Sequence, residues 1–180
     1  MKHLSIIIAS TFEGGIGYQN GLPWYIPKEM KKFKNITSSV VDELKTNAVI
    51  MGRKTFETLP NPLVGRINIV ISRNLNFFPQ GHKVNVFVVK SMDEALQFCE
   101  SNPRIESMFL IGGSVLLESF FQKNYSCSKL YLSIVYDTKL KTDTYFDLTY
   151  LYTKFQLQKD LNYEQESNDK LFASFIGIPR

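Results

Sequence analysis

Short apolar runs separated by turn residues are the feature that most constrains the fold of this chain. Five runs are strand-like and almost continuously apolar, at residues 5–9, 48–51, 66–72, 84–89 and 108–111. Such strands are typical of a sheet covered on both faces. Helical segments lie between the runs, at residues 28–36 and 55–59, after a Ser91-to-Glu94 capping box, and after Gly113. Alternating strands and helices predict an α/β fold with a mostly parallel central sheet and helices on both faces.

The last third of the chain changes character. Residues 129–136 and 171–178 are strand-like with no strong helix between them, which predicts an antiparallel hairpin at one edge of the sheet. The 180 residues contain no repeat or linker, so a single domain over residues 1–180 is expected. No apolar run approaches the length of a membrane span, and the N-terminus lacks a signal pattern, so we expect a cytoplasmic protein.

Charge and cysteine content limit the possible partners. The formal net charge is +4, and the basic residues are scattered. A mild positive excess suits a small phosphorylated ligand as well as nucleic acid, so RNA binding stays open at this point. Cys99 and Cys127 have no metal-binding spacing, and neither a metal site nor a disulfide framework is predicted.

A glycine-rich segment follows the first strand. Residues 13–24 contain four glycines and end in Pro23-Trp24, but they lack the G-x-G-x-x-G spacing of a dinucleotide site. A lid over a ligand and an ordinary glycine-rich turn are about equally good interpretations. Taken alone, Trp24 fits core packing better than a site.

Glu29 stands in the first turn of the helix that follows Pro27, with Phe33 one turn later. A carboxylate that shares a face with an aromatic ring can be desolvated, which raises its pKa and suits proton transfer. The commoner interpretation of such a residue is a solvated glutamate at a helix N-terminus.

Cationic, hydroxyl and glycine residues follow three of the strands. These are the residues 52–55 (Gly-Arg-Lys-Thr), 72–73 (Ser-Arg) and 112–114 (Gly-Gly-Ser). Together they could hold phosphate groups, although scattered surface arginines are an equally good interpretation. Arg66 begins a strand after a tight turn, where it could pair with a ligand carboxylate or form an internal salt bridge.

In their order along the chain, these motifs resemble those of dihydrofolate reductases. The resemblance runs from Leu4 to Ile178, and the long segment between Phe33 and Ala48 is similar to the eukaryotic or viral branch. It implies reduction of 7,8-dihydrofolate to 5,6,7,8-tetrahydrofolate by hydride transfer from NADPH. It also implies a cytoplasmic monomer, a target of antifolates, that supports one-carbon metabolism and thymidylate synthesis without an obligate protein partner.

The resemblance also implies roles for individual residues. Glu29 would be the acid of the pterin pocket, supported by Trp24, Leu22 and the Ser133 hydroxyl. The other substrate-binding residues would be Ile7, Ala9, Met30, Phe33, Leu59, Leu63, Ile111 and Arg66, the last holding the glutamate tail. The cofactor-binding residues would be Ala9, Ile16, Gly17, Gly52, Arg53, Lys54, Thr55, Ser72, Arg73, Ser114, Val115 and a cis Gly112-Gly113 pair. The chain departs from the family at Ser133, where threonine is usual, and at Leu117, where tyrosine is common.

Two other functions compete with this one. Pyrimidine reductases of riboflavin synthesis share the fold and the Gly-Gly turn, but the Leu-Pro-Trp segment followed by Glu29 argues against them. A folate- or nucleotide-binding protein with little turnover is the third hypothesis, and Leu117 gives it slight support.

Overall fold

The computed structural model describes residues 2–74, 77, 84–137, 139–160 and 172–180. The strands in chain order are β1 (His3–Thr11), β2 (Gly15–Gly17), β3 (Thr46–Gly52), β4 (Arg66–Ile71), β5 (Val86–Val89), β6 (Ile105–Gly112), β7 (Lys129–Val135), β8 (Thr144–Tyr145), β9 (Phe155–Lys159) and β10 (Phe172–Pro179). The helices are α1 (Pro27–Ser38), α2 (Arg53–Thr58), α3 (Met92–Ser101), α4 (Ser114–Gln122) and α5 (Thr149–Lys154). None of these helices has the length and apolar character of a membrane span.

The central sheet has eight strands in the order β5-β4-β3-β6-β1-β7-β10-β9. Every pairing from β5 to β7 is parallel, whereas β10 runs antiparallel to both β7 and β9. This confirms the predicted α/β class with a mostly parallel sheet and antiparallel C-terminal strands. The predicted hairpin partners β7 and β10 do pair, but β9, which was not predicted, forms the edge. Leu171, the predicted first residue of the last strand, lies outside the described residues.

Alternate residues of each central strand face opposite helical layers, which is why the runs are apolar throughout. On β1, Ile6 and Ile8 pack in a cluster that includes α3 and α4, whereas Ile7 packs in the cluster that includes Phe33 of α1 and Phe56 of α2. The prediction of helices on both faces is therefore confirmed. The face that carries α1 and α2 is called the α1 face below.

Most of the predicted ends of strands and helices lie within two residues of the observed ends. Ser91 caps α3 by accepting a hydrogen bond from the Glu94 N–H at 3.2 Å. The predicted second helix begins at Arg53 instead of Thr55, and β5 begins at Val86 instead of residue 84. Asn85 has a φ of +66°, and because this left-handed conformation is not extended, the strand starts only after Asn85.

The glycine-rich segment is more ordered than a free loop. β2 pairs antiparallel with β8, and residues 18–21 close a two-residue turn in which Gln19 and Asn20 both have positive φ. Gly14 has a φ of +83°, and a Cβ there would stand 2.3 Å from the Phe146 carbonyl oxygen. This glycine therefore serves a close backbone approach as well as a turn.

We expect Gly14→Ala to lower the free energy of unfolding by about 3 kcal/mol, measured by urea denaturation. The left-handed φ accounts for about 1 kcal/mol and the clash with Phe146 for about 2 more. Gly65→Ala is the matched control, because Gly65 has a φ of +73° but open space around its Cβ position. Equal losses in the two variants would contradict the role of the close approach.

Candidate functional site

The candidate site lies along the carboxyl ends of the parallel strands, where ligands bind in open α/β sheets. β3 is flanked by β4 and β6, and its end is level with theirs: Gly52 pairs with Ile71, and Met51 pairs with Gly112. The segments that follow these three strands are thereby brought side by side. The structure thus brings together the predicted cofactor-binding residues of segments 52–55, 72–73 and 112–115, which come from three separate parts of the chain.

The turn between β6 and α4 carries the predicted cis peptide bond between Gly112 and Gly113. Gly113 lies against α2, since a Cβ on Gly113 would stand 3.0 Å from Thr55 Oγ1. A Cβ on Gly52, which precedes α2, would stand 3.9 Å from the backbone nitrogen of Gly113. Gly113 is also the N-cap of α4 and has no side chain to satisfy the helix N–H groups. Backbone amides of Ser114 and Val115 begin this helix, a geometry that suits an anionic group.

The basic residues near this edge differ in their surroundings. Arg53 forms a salt bridge of 3.2 Å with Glu57 and lies over the Phe77 ring, whereas Lys54 and Arg73 are exposed. The Ser72 hydroxyl is buried in a local turn, where it donates to the carbonyl of the residue two positions on at 3.0 Å. Lys54 and Arg73 are therefore the most accessible cations of the predicted set.

Glu29 is 6% exposed and lies in the first turn of α1, on the buried side of the helix. Burial raises the pKa of its carboxyl above the ordinary value, while the nearby Lys32 ammonium and a hydrogen bond with Ser133 oppose this shift. The prediction that Glu29 is desolvated is confirmed. The interpretation of Glu29 as a solvated helix-terminal residue is wrong.

Lys32 lies near this acid, and Ser174 and Asp160 lie around Lys32; none of the three was predicted from the sequence. Lys32 is 1% exposed, and its Nζ donates to Ser133 Oγ at 3.1 Å and to Ser174 Oγ. The Ser174 hydroxyl in turn lies 3.4 Å from the Asp160 carboxylate. The spacing of Glu29 and Lys32 on one helix, three residues apart, was the only local signal of this cluster.

Most of the predicted pterin-pocket walls form one cluster on the α1 face. Its members from that set are Ile7, Phe33, Leu59, Leu63 and Ile111, and all but Ile7 are half-buried. Ala9 lies beside Ser133 across the β1–β7 ladder, which puts it next to the acid. Met30 is 42% exposed and lies outside these clusters.

Trp24 belongs to a cluster against which Ala9 packs. Trp24 is buried with Ile26 and Val135, and among the described residues its indole Nε1 has no hydrogen-bond partner. A buried N–H that finds no protein acceptor favours a ligand or water as its partner. Leu22 is 58% exposed, while Ile16 and Gly17 lie in or beside the β2–β8 pair.

Arg66 lies at the far end of the α1 face. It is 5% exposed, and burial lowers the pKa of its guanidinium. Its Nη1 donates to Thr37 Oγ1 at 2.8 Å and its Nε to the Val64 carbonyl at 3.1 Å. Within the described ranges it forms no ion pair with a carboxylate, so the alternative of an internal salt bridge finds no support there. Thr37, which holds this arginine, was not predicted.

Leu117 is 1% exposed and packs with Phe120 in the cluster on the face opposite α1. It therefore contributes core packing and no polar group.

Comparison with known proteins agrees with this geometry. The family model described as dihydrofolate reductase matches residues 3–180. A protein named dihydrofolate reductase from Aedes albopictus is 35% identical over 169 residues, which are 89% of this chain and 86% of that protein. Its counterpart from Heliothis virescens is 36% identical over 146 residues, 79% of this chain and 78% of that protein.

The chain is also similar to larger proteins. It is 39% identical to bifunctional dihydrofolate reductase-thymidylate synthase 2 of Arabidopsis thaliana over 146 residues, 78% of this chain and 25% of that protein. The chain thus matches about a quarter of the length of such bifunctional relatives. Taken together, these matches show that the chain belongs to the dihydrofolate reductase family.

We expect Thr37→Val to lower the free energy of unfolding by about 1–3 kcal/mol, because it leaves a buried guanidinium N–H without its acceptor. Ser38→Ala is the control, since Ser38 makes a similar side-chain bond to α1 backbone at 2.7 Å without touching an arginine. We expect that variant to stay within about 0.5 kcal/mol of the original protein. A comparable loss in both, measured by chemical denaturation, would refute the role of Thr37 in holding Arg66.

Proposed function

We propose that this chain reduces 7,8-dihydrofolate to 5,6,7,8-tetrahydrofolate with NADPH, acting as one domain over residues 1–180 in a cytoplasmic setting. The observation that carries the proposal is the buried carboxylate of Glu29 on the α1 face, next to Ala9 and Ser133. Family membership supports the same reaction. The product would serve one-carbon metabolism and thymidylate synthesis.

Glu29 would bind the pterin through two hydrogen bonds, from its 2-amino group and N3. A carboxylate in a poorly solvated site makes strong charge-assisted bonds to such donors and favours the protonated form of the substrate. Reduction requires one proton at pterin N5 in addition to the hydride at C6. In this mechanism Glu29 promotes that protonation, with Trp24 and Leu22 shaping the entry of the proton and Ser133 supporting the carboxylate.

The residues along the strand ends fit a nicotinamide dinucleotide. When bound, NADPH supplies the hydride. Gly112 and Gly113 would let a ligand approach the backbone of this turn: the Cβ position of Gly112 is open, and a Cβ on Gly113 would stand 3.0 Å from Thr55 Oγ1. Thr55 and the first residues of α4 offer hydroxyl and amide donors, and Lys54 and Arg73 offer exposed charge for a 2′-phosphate. Arg53 and Ser72 would join them after exchanging the internal contacts they now make.

Arg66 would hold the α-carboxylate of the substrate's glutamate tail. Its support is a buried guanidinium whose described partners are a hydroxyl and a carbonyl oxygen. A ligand carboxylate would complete the fork with charge-assisted hydrogen bonds. The walls between Arg66 and Glu29, formed by Phe33, Leu59 and Leu63, would then contact the aminobenzoyl group.

We expect Glu29→Gln to lose roughly 100-fold or more of the dihydrofolate-dependent oxidation of NADPH at pH 7. Part of the rate returns at acid pH, where the substrate reaches the site already protonated. The measurement is absorbance of NADPH across a pH series, and Glu43→Gln, a change of an exposed carboxylate, is the control. Unchanged turnover of Glu29→Gln at pH 7 would refute the role of this acid. Cofactor binding without any dihydrofolate-dependent oxidation in the original protein would refute the reaction.

We expect Arg66→Lys to lower kcat/KM for dihydrofolate by roughly 10- to 100-fold, because lysine keeps the charge but loses the planar fork. A dihydropterin without the glutamate tail should react equally well with both proteins. The ratio of the two substrates within one variant is independent of how much protein is folded. Equal losses for both substrates would place Arg66 outside the tail site.

A further inference from the structure

The cluster beneath α1 contains a buried lysine that the proposed reaction does not use. Lys32 is among the largest fully buried side chains in the described part of the chain. Lysine is almost never fully buried unless it is paired. Among the described residues, the groups that face its ammonium include Glu29 on the same helix, the hydroxyls of Ser133 on β7 and Ser174 on β10, and Asp160 just after β9.

Hydrogen-bond chemistry determines which group donates and which accepts in each contact of this cluster. An ammonium group only donates, so Ser133 and Ser174 must accept from Lys32. Each serine then has one proton left to donate. Ser133 can direct its proton to Glu29, and Ser174 directs its proton to the Asp160 carboxylate. One cation thereby orients two hydroxyls toward two acids.

On this basis, and resting on the proposed function, we propose that Lys32 is a positioning residue for the reduction. Its ammonium orients the Ser133 hydroxyl toward Glu29 and supplies the positive charge that keeps this buried carboxylate ionised until substrate binds. Asp160 acts on the far side of Lys32 and helps to keep the ammonium charged.

The pKa shifts of Glu29 and Lys32 agree with this geometry. Lys32 acts against the burial effect that raises the pKa of Glu29. Burial lowers the pKa of Lys32 to about 8, and Glu29 and Asp160 limit that shift. Lys32 is therefore mostly charged at neutral pH and loses its charge as the pH rises through about 8.

The test compares Lys32→Met with Lys31→Met, a change of the exposed neighbouring lysine. Single-turnover hydride transfer from NADPH to dihydrofolate is measured across pH. Without the ammonium, the proton shared by Glu29 and the bound pterin is held to higher pH, so we expect the decline of the rate at high pH to move upward by about 1 unit. Lys31→Met should leave the profile in place. A profile that is unmoved in Lys32→Met would overturn the proposal.

A second measurement separates charge from packing and from the reaction itself. The carboxyl-carbon NMR signal of Glu29, assigned by its loss in Glu29→Gln, is titrated without substrate in the original protein, Lys32→Met, Lys32→Gln and Ser133→Ala. We expect an upward shift of the midpoint in all three variants. A purely structural lysine would change the unfolding midpoint and leave the Glu29 titration unmoved, which would overturn the proposal.

The two proposals fail differently. If the original protein does not oxidise NADPH with dihydrofolate, the proposed function is wrong, and the NMR titration still tests whether Lys32 controls Glu29. If the original protein is active and the Lys32 variants titrate like it, the function stands and the role of Lys32 is wrong.

Discussion

Glu29 is buried between α1 and the sheet, and its surroundings offset the cost of holding a carboxylate away from water. An isolated buried charge is expensive, so it requires a partner of opposite charge or hydrogen-bond donors. Lys32 and Ser133 fulfil both needs, and Ser174 and Asp160 do the same for Lys32. The requirement ties α1 to β7, β10 and the end of β9, so the antiparallel edge of the sheet takes part in building the acid's environment.

The topology of the sheet alone brings together the second part of the site, the segments that follow the parallel strands. Parallel neighbours end at one edge, so the segments after β3, β4 and β6 meet without any long-range side-chain pairing. β1 lies between β6 and β7, and Ala9 on β1 pairs with Ser133 on β7. The acid cluster and the Gly112-Gly113 turn therefore lie on either side of β1.

The sequence predicts the segments at the strand ends better than it predicts the buried cluster around Glu29. The strand ends follow from local patterns, since apolar runs, a capping serine and paired glycines each mark their own position. β9 and α5 carry weaker signals because β9 is a short edge strand of mixed polarity and α5 has six residues. Lys32 stands in a lysine-rich stretch that is typical of a solvated helix face. Its hydrogen-bond partners Ser133 and Ser174 lie 101 and 142 residues away along the chain. No local sequence pattern predicts contacts at that separation.

The contacts of the buried cluster also suggest why a lysine, and not an apolar residue, occupies position 32. Replacing a buried ion network with apolar side chains of similar volume is often neutral or stabilising, so such a network is weak evidence for stability. An apolar residue at position 32 could pack against the sheet, as Phe33 and Ile36 do elsewhere on the α1 face. It could not direct the Ser133 hydroxyl or balance the charge of Glu29. The physical cost of burying Lys32 is therefore best explained by what it does for the acid, one helical turn away.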